Sequence, residues 1–513
     1  MSDLVSHDSP PSRLERLADL APALGLLLFH LALLPGYGVF RDELYYMACG
    51  RHPAWGYVDH PPLVGWVAWA VRQLAGDSHL ALRVVAAFAA AATVFVTARI
   101  AKELGGGPFA RFLAGLALAV LPISLALGSV YSMNVFDLLF WAILFWIVVR
   151  LLSGGDERLW LVFGLVAGVG LLNKISVLFL GFGLVVGLVL GRRWDVFRTR
   201  WLWIGGALAA LVFLPHIVWQ HGHDWPTLEF MANARRDKMI SLPIPAFLVQ
   251  TIQQTVVASW LWILGLGWLL LAREAVPFRT LGFLFLTVVA ILTLTGGKPY
   301  YLAAAYGAPL AAGAVALERA TAGATRWARP VLAVLVLAGG LLLSPFGRPV
   351  LAVDTYVRYG AVLGIGPSTD ERKEVGRLSQ FYADMHGWRQ MAETVSGVVR
   401  ALPAEERAEA CIFAGNYGEA GAMEYFGPAL ALPPTLSAHN SYWLWGPGRC
   451  TGEMLLVLGV ARERIDELFE TVELGATVSC LNCMPYESNL PIWVGRGLKV
   501  SLPALWGELR HFQ

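Results

Sequence analysis

Long apolar runs recur along the chain as far as about Phe346, divided by short polar breaks, and beyond that point they stop. Several reach the roughly 20 residues that carry a helix across about 30 Å of hydrocarbon. The pattern predicts spans near 20–39, 79–101, 108–128, 133–151, 158–172, 174–190, 201–220, 246–272, 279–296, 300–317 and 329–346, about eleven in all. The pair around Asn173-Lys174 can also be read as one long broken helix, which reverses the parity of everything after it. Residues 1–17 read as a polar leader. The first apolar run, Leu20–Leu34, leads into further spans and is read as a retained helix, not a cleaved signal.

After the last run the rhythm changes. Ala410–Ala414 and Met454–Leu458 have the short apolar character of strands, Ala461–Thr471 has helical spacing, and Gly427-Pro428 and Pro433-Pro434 punctuate the rest. The expected organisation is a polytopic α-helical membrane domain over 1–346, with a first outer loop at 40–78, followed by a soluble α/β domain over 347–513.

Composition agrees with the pattern: 57% of residues are hydrophobic and 15% charged, against about 25% charged in soluble domains. The net charge of +2 says little about partners, and no nucleic acid is expected among them. Where the cations sit is more informative. With the N-terminus in the cytoplasm of a bacterial inner membrane, the inner turns collect Arg99, Lys102 and Arg111, then Arg150 and Arg158. The later ones collect Arg192, Arg193, Arg198 and Arg200, then Arg273 and Arg279, then Arg319, Arg326 and Arg329. The opposite orientation puts every cluster outside. This topology leaves the first loop, the segment His221–Pro245 and the tail on the periplasmic side. Five cysteines are too few for a disulfide scaffold. In an oxidising compartment Cys480-x-x-Cys483 is oxidisable, and a structural disulfide, with Cys450 as a candidate member, is expected before a metal site.

Three features can carry chemistry. The first outer loop presents Asp42 and Glu43 directly after the first span, then Asp59 and His60 held by Pro61-Pro62. At the start of the fourth span Asn134 and Asp137 share a helix face. A carboxylate facing lipid there costs about 2.5–3.5 kcal/mol, so Asp137 should face protein or a watery cavity. Finally, Lys174, Lys298, Arg235, Arg236 and Lys238 are cations on the outer side, where the inward bias leaves few. Each has a plainer reading: a charged loop at the membrane edge, a helix-packing hydrogen bond, or a lysine snorkelling to headgroups. Together they suit transfer from a lipid phosphate. A phosphate leaving group needs charge stabilisation, whereas the acceptor hydroxyl needs a base. No Gly-rich nucleotide loop is found, and none is required.

The run Asp42-Glu43-Leu44-Tyr45-Tyr46 with Gly56-Tyr57-Val58-Asp59-His60-Pro61-Pro62-Leu63 resembles the first outer loop of bacterial protein-mannosyltransferase-like glycosyltransferases. This glycosyltransferase family 39-like group has the GT-C membrane fold and includes the lipid A aminoarabinose transferase. Pro215–Gln220 with Trp225–Glu229, Asn173–Ser176 and Gly297–Tyr301 are similar to further segments of it. Asn416–Gly421 and His439–Pro447 resemble a subgroup. The resemblance implies an inverting transfer from a polyprenyl-phosphate sugar to an extracytoplasmic acceptor, which can be lipid A, another glycan, a lipid or a protein. It puts the catalytic base on Asp42. Asp59 and His60 take the positions of a Glu-Lys pair, so a permanent cation near the donor phosphate is replaced by a titratable one. The family's second outer Asp falls on Asn134, with Asp137 one turn on, and Tyr300 or Tyr301 matches an aromatic near the donor. Glu43, Lys174 and Lys298 complete the expected substrate-binding set. No cofactor is required beyond the donor; a divalent metal is compatible but not demanded. The rival readings are a transferase of a different lipid-phosphate-linked group such as a phospho-alcohol, a transporter or flippase of a lipid-linked glycan, and a catalytically dead, glycan-binding member.

Overall fold

The computed structural model describes residues 13–513, so residues 1–12 of the expected leader lie outside the described residues. Ten of the eleven expected spans coincide with a helix or a bent pair of helices, and the first overlaps one. Five helices are individually long and apolar enough to cross a membrane: His79–Glu103, Met133–Leu152, Arg200–Gly222, Val276–Thr295 and Gly323–Phe346. Three pairs qualify together but bend, by 64° between Pro108–Ala119 and Pro122–Ser129, 114° between Ile244–Gln254 and Ser259–Leu271, and 59° between Pro299–Ala305 and Gly307–Ala320. Leu159–Asn173 and Val177–Leu190 are shorter apolar helices, about 21–23 Å long at 1.5 Å per residue. Between them Lys174–Ser176 breaks the helix and presents Lys174. Helix His79–Glu103 lies centrally, touching Arg13–Ala32, Pro108–Ala119, Met133–Leu152 and Gly307–Ala320. Large apolar side chains such as Trp203, Leu211, Val334 and Leu335 face outward from other helices, as a lipid-facing surface requires.

The first span is displaced from its expected position. The helix runs Arg13–Ala32, not 20–39. Its charged first turns are tolerated because Asp19, 5% exposed, pairs with Arg111 and Arg99. Downstream, Leu33–Gly38 forms a turn in which Gly36 (φ 56°) and Gly38 (φ 140°) take a backbone conformation that other residues rarely adopt. Its carbonyls are claimed by buried arginines. Arg83 donates to Leu34, Pro35 and Gly38 at 2.6–2.9 Å, and Arg348 to Leu33. Span 246–272 is likewise not one straight helix, since it folds sharply between Gln254 and Ser259.

In the tail a five-stranded mixed sheet has the order β2-β1-β3-β5-β4, formed by β1 (Cys411–Phe413), β2 (Thr435–Leu436), β3 (Met454–Leu458), β4 (Phe469–Val478) and β5 (Leu490–Leu498). β2, β1 and β3 are parallel, and β5 runs antiparallel to both β3 and β4. The expected helix at 461–471 spans only Arg462–Leu468, because β4 begins at Phe469. A disulfide joins Cys411 to Cys450, while Cys480 and Cys483 are free. Cys450 is thus disulfide-bonded as expected, to a partner other than the C-x-x-C pair.

The tail does not bury its apolar faces alone. Leu44, Tyr46 and Met47 of helix Arg41–Arg51, and Val64 and Ala68 of helix Leu63–Ala75, share one buried cluster with Met391, Val395, Ile412, Met423, Leu456 and Ile492. Helix Tyr417–Leu430 docks on Arg41–Arg51 through glycines. A Cβ on Gly418 would come within 2.8 Å of Arg41 Cγ, and one on Gly421 within 2.8 Å of Leu44 Cβ.

Candidate functional site

Helix Arg41–Arg51 opens where Glu43 reaches back to the Phe40 amide (2.9 Å) and the Arg41 amide donates to the Asp384 carbonyl (2.9 Å). This fixed first turn aims Asp42 into a polar layer between the helices and the tail. Asp42 is half-buried. Its Oδ1 accepts from the Tyr417 hydroxyl at 2.9 Å, the single hydrogen bond to this carboxylate among the described residues. Burial pushes its pKa up, opposed by the Tyr417 bond, Arg41 and Lys238, while Asp59 pushes it further up. Asp59, also half-buried, accepts from the Tyr45 hydroxyl (2.8 Å), which in turn accepts from the Ser441 amide (3.2 Å).

A chain of contacts extends from this centre. Tyr300 feels the charge of Asp42 and packs edge-on against Tyr301 at 4.6 Å. Lys174 lies over the Tyr301 ring (4.7 Å), donates to Asn134 Oδ1 (2.8 Å) and stands 3.6 Å from Asp137 Oδ2. Asp137, 2% exposed, also accepts from Ser176 (2.5 Å). It therefore faces protein, as the cost of a lipid-facing carboxylate demands. Lys298 pairs with Glu371 at 3.0 Å and Lys238 with the same oxygen at 3.5 Å. Burial alone would raise the Glu371 pKa, but the two lysines hold it at about 2. Asp370 lies close enough to feel both Lys298 and Glu371, so this layer holds two lysines and two carboxylates.

The structure thus brings together Asp42, Asp59, Asn134, Asp137, Lys174, Lys298, Tyr300 and Tyr301. It does not bring Glu43 or His60 to the same place. Glu43 is 0% exposed, and both its oxygens are taken by Arg83 (2.8 and 2.6 Å), Phe40 and Tyr131. In this structure Glu43 clamps the helix start through these partners. His60, also 0% exposed, lies among Tyr45, Tyr46 and Tyr57, with Nδ1 on the Pro61 carbonyl (2.8 Å) and Nε2 3.8 Å from Cys49 Sγ. Its ring is enclosed by these neighbours and, among the described residues, makes no contact with Lys174 or Lys298.

Sequence reasoning missed the site roles of Tyr417, Glu371, Asp384 and Arg41. Arg41, 7% exposed, lies over the Tyr417 ring (4.6 Å) and donates to the Tyr486 hydroxyl (2.9 Å). Asp384 beside it is buried, which raises its pKa to about 7 against the pull of Arg41. One signal for Tyr417 was present: Asn416 and Glu419 have the spacing of a helix cap, and Gly418 and Gly421 mark a face built for close approach. That signal does not name the partner. Among the described residues no group of three or more His, Cys, Asp or Glu is placed to hold a metal ion.

This architecture, an apolar helical bundle with a sheet-bearing tail laid over it, is a fold shared with solved membrane proteins. Two solved structures match it over 93% of this chain and 97% of theirs. They are ArnT from Cupriavidus metallidurans bound to undecaprenyl phosphate (TM-score 0.61, 14% identity) and the same protein in the apo state (0.62, 13%). At these identities the likeness is one of fold. Residues 59–219 match the family model described as dolichyl-phosphate-mannose-protein mannosyltransferase. A lipid A galacturonosyltransferase, RgtD of Rhizobium johnstonii, is 31% identical over 210 residues, 40% of this chain and 44% of that protein. The match spans less than half of that relative's length. The three comparisons agree with the resemblance to protein-mannosyltransferase-like and ArnT-like proteins read from the sequence.

Proposed function

We propose that this chain is an inner-membrane glycosyltransferase that moves a sugar from a polyprenyl-phosphate donor to an acceptor outside the cytoplasm. The observation that carries this reading is the half-buried Asp42, held by Tyr417 and adjoining a lysine-rich layer, in a fold shared with a protein solved with undecaprenyl phosphate. The Asp42 oxygen that Tyr417 leaves free takes the proton of the acceptor hydroxyl as its oxygen attacks the anomeric carbon. The bond from that carbon to the phosphate oxygen breaks, and its electron pair leaves with the phosphate. A single displacement of this kind inverts the anomeric configuration. Burial raises the Asp42 pKa, which suits a group that must accept a proton. Lys174, Lys238 and Lys298 supply positive charge for the leaving phosphate, exchanging Asp137 and Glu371 for it. Asp59 and the Tyr300–Tyr301 pair line the donor side. The acceptor is a lipid A-type glycolipid, as the likeness to a lipid A galacturonosyltransferase suggests, and the tail covers the opening on the periplasmic side.

The test compares wild type with Asp42→Asn in lipid nanodiscs, using a panel of radiolabelled polyprenyl-phosphate sugars and a membrane extract. Wild type should move label off the carrier, and the variant should lose about 10²-fold or more in rate while still binding donor. Equal transfer by Asp42→Asn overturns the base assignment. A labelled lipid-linked glycan that changes leaflet with no donor consumed favours the transporter reading.

A further inference from the structure

We infer that Tyr417, carried by the tail, is a positioning residue for the Asp42 carboxylate: its hydroxyl fixes one oxygen so that the other is presented to the acceptor. This rests on the reading of Asp42 as the base. The two residues are 375 positions apart in sequence, and their side chains meet at 2.9 Å.

Tyr417 is placed by an elaborate local framework. Asn416 caps its helix, accepting from the Gly418 and Glu419 amides at 2.9 and 3.1 Å. The Tyr417 amide donates to His439 Nδ1 (3.1 Å), and the two rings stack at 5.1 Å with 7° between their planes. His439 Nε2 in turn donates to the Gln513 carbonyl (3.0 Å), a tautomer assigned from these partners. Burial, with Arg41 nearby, keeps His439 well below the usual histidine range, in keeping with an Nδ1 that accepts from the Tyr417 amide. The Arg41 guanidinium over the ring completes the cradle. The tyrosine hydroxyl, at the end of this framework, meets only the Asp42 oxygen among the described residues. A side chain that served packing alone would not need a hydroxyl there, because burying it unpaired is costly.

Asp42 is also faced by Arg41 on its own helix, Lys238 from the 221–245 segment, Asp59, Asp384, Tyr300 and Tyr46. Tyr417 is the one that donates a hydrogen bond to it. Removing that bond withdraws a stabiliser of the charged carboxylate, so the base protonates at higher pH.

The experiment measures donor turnover against pH for wild type, Tyr417→Phe and a protein carrying 3-fluorotyrosine at position 417. Tyr417→Phe should move the acidic limb of kcat up by about one pH unit or more, with the donor KM unchanged. The more acidic fluorophenol donates more strongly and should move the limb down. Opposite displacements by two substitutions of nearly the same shape cannot come from packing. An acidic limb at the wild-type position in both proteins, with Asp42→Asn inactive, overturns the positioning role and leaves the base assignment standing. A pH-independent fall in kcat overturns it too, as the mark of a structural part. Full activity of Asp42→Asn removes the base reading and this inference together. Should Tyr417→Phe fail to fold, the fluorotyrosine protein decides alone.

Discussion

Replacing Glu43 by glutamine should cost about 3 kcal/mol of stability, at the low end of what breaking a buried ion pair costs. The structure gives the reason. Glu43 is fully buried and accepts four hydrogen bonds, two on each oxygen: Arg83 Nε and the Tyr131 amide on Oε1, Arg83 Nη2 and the Phe40 amide on Oε2. An amide has one accepting end. Whichever way it turns, two donors lose their acceptor and face an NH2 group, and one of the two belongs to Arg83. The arginine keeps the carbonyls of Leu34, Pro35 and Gly38, which holds the loss below the upper part of the usual range. A loss of this size is about two orders of magnitude in the folding equilibrium. Unfolding in mixed SDS micelles, followed by tryptophan fluorescence, reads it directly. Because the Phe40 cap loosens, Asp42 moves with it, so kcat should fall while donor affinity holds. The double variant Glu43→Gln, Arg83→Met should recover part of the loss. Unchanged stability with a raised donor KM would refute the clamp and restore Glu43 as a substrate contact.

Lys174→Met should strand the buried Asp137 carboxylate, costing about 3 kcal/mol, and adding Asp137→Asn should return part of it; the same SDS titration measures both. Reduction of Cys411–Cys450, or Cys450→Ser, releases a loop of 39 residues and should cost about 4 kcal/mol in the chain-entropy account, read as faster proteolysis of the tail. Glu371 has a depressed folded pKa of about 2 against 4.5 in the ordinary state. Its stabilising pairing with Lys238 and Lys298 is therefore whole above about 4.5 and lost as pH falls towards about 2. Hydrogen exchange at the Lys238 and Arg372 amides should rise over that window in wild type and stay high throughout in Glu371→Gln.

What could be read from the chain follows the range of the forces involved. The spans were legible because membrane insertion is governed by the local density of apolar residues. The first helix was misplaced by several residues because its register depends on Asp19 meeting Arg111, a pairing between residues distant in sequence. The fold between Gln254 and Ser259 carries no proline or glycine to announce it. Asp42 stood out by position, just past the first apolar run. The separation of Asp42 from its neighbour Glu43 did not, since only Arg83, forty residues on within an apolar helix, turns one acid into a clamp and leaves the other in the site. His60 looked like a presented cation because prolines follow it, yet the tyrosines that enclose it come from the same loop folded back. Local chemistry could nominate these residues, and tertiary packing sorted them.

The bond between Tyr417 and Asp42 also has a bearing on how the protein is born. A ribosome makes the Asp42 helix early and its tyrosine partner 375 residues later. Until the tail has been synthesised, closed its disulfide and settled on that helix, the carboxylate has neither Tyr417 nor the cover of the buried cluster they share. Half-made copies therefore lack the contact that joins the tail to Asp42. Under the proposed reading of Asp42 as the base, the centre is complete only once the whole chain has folded.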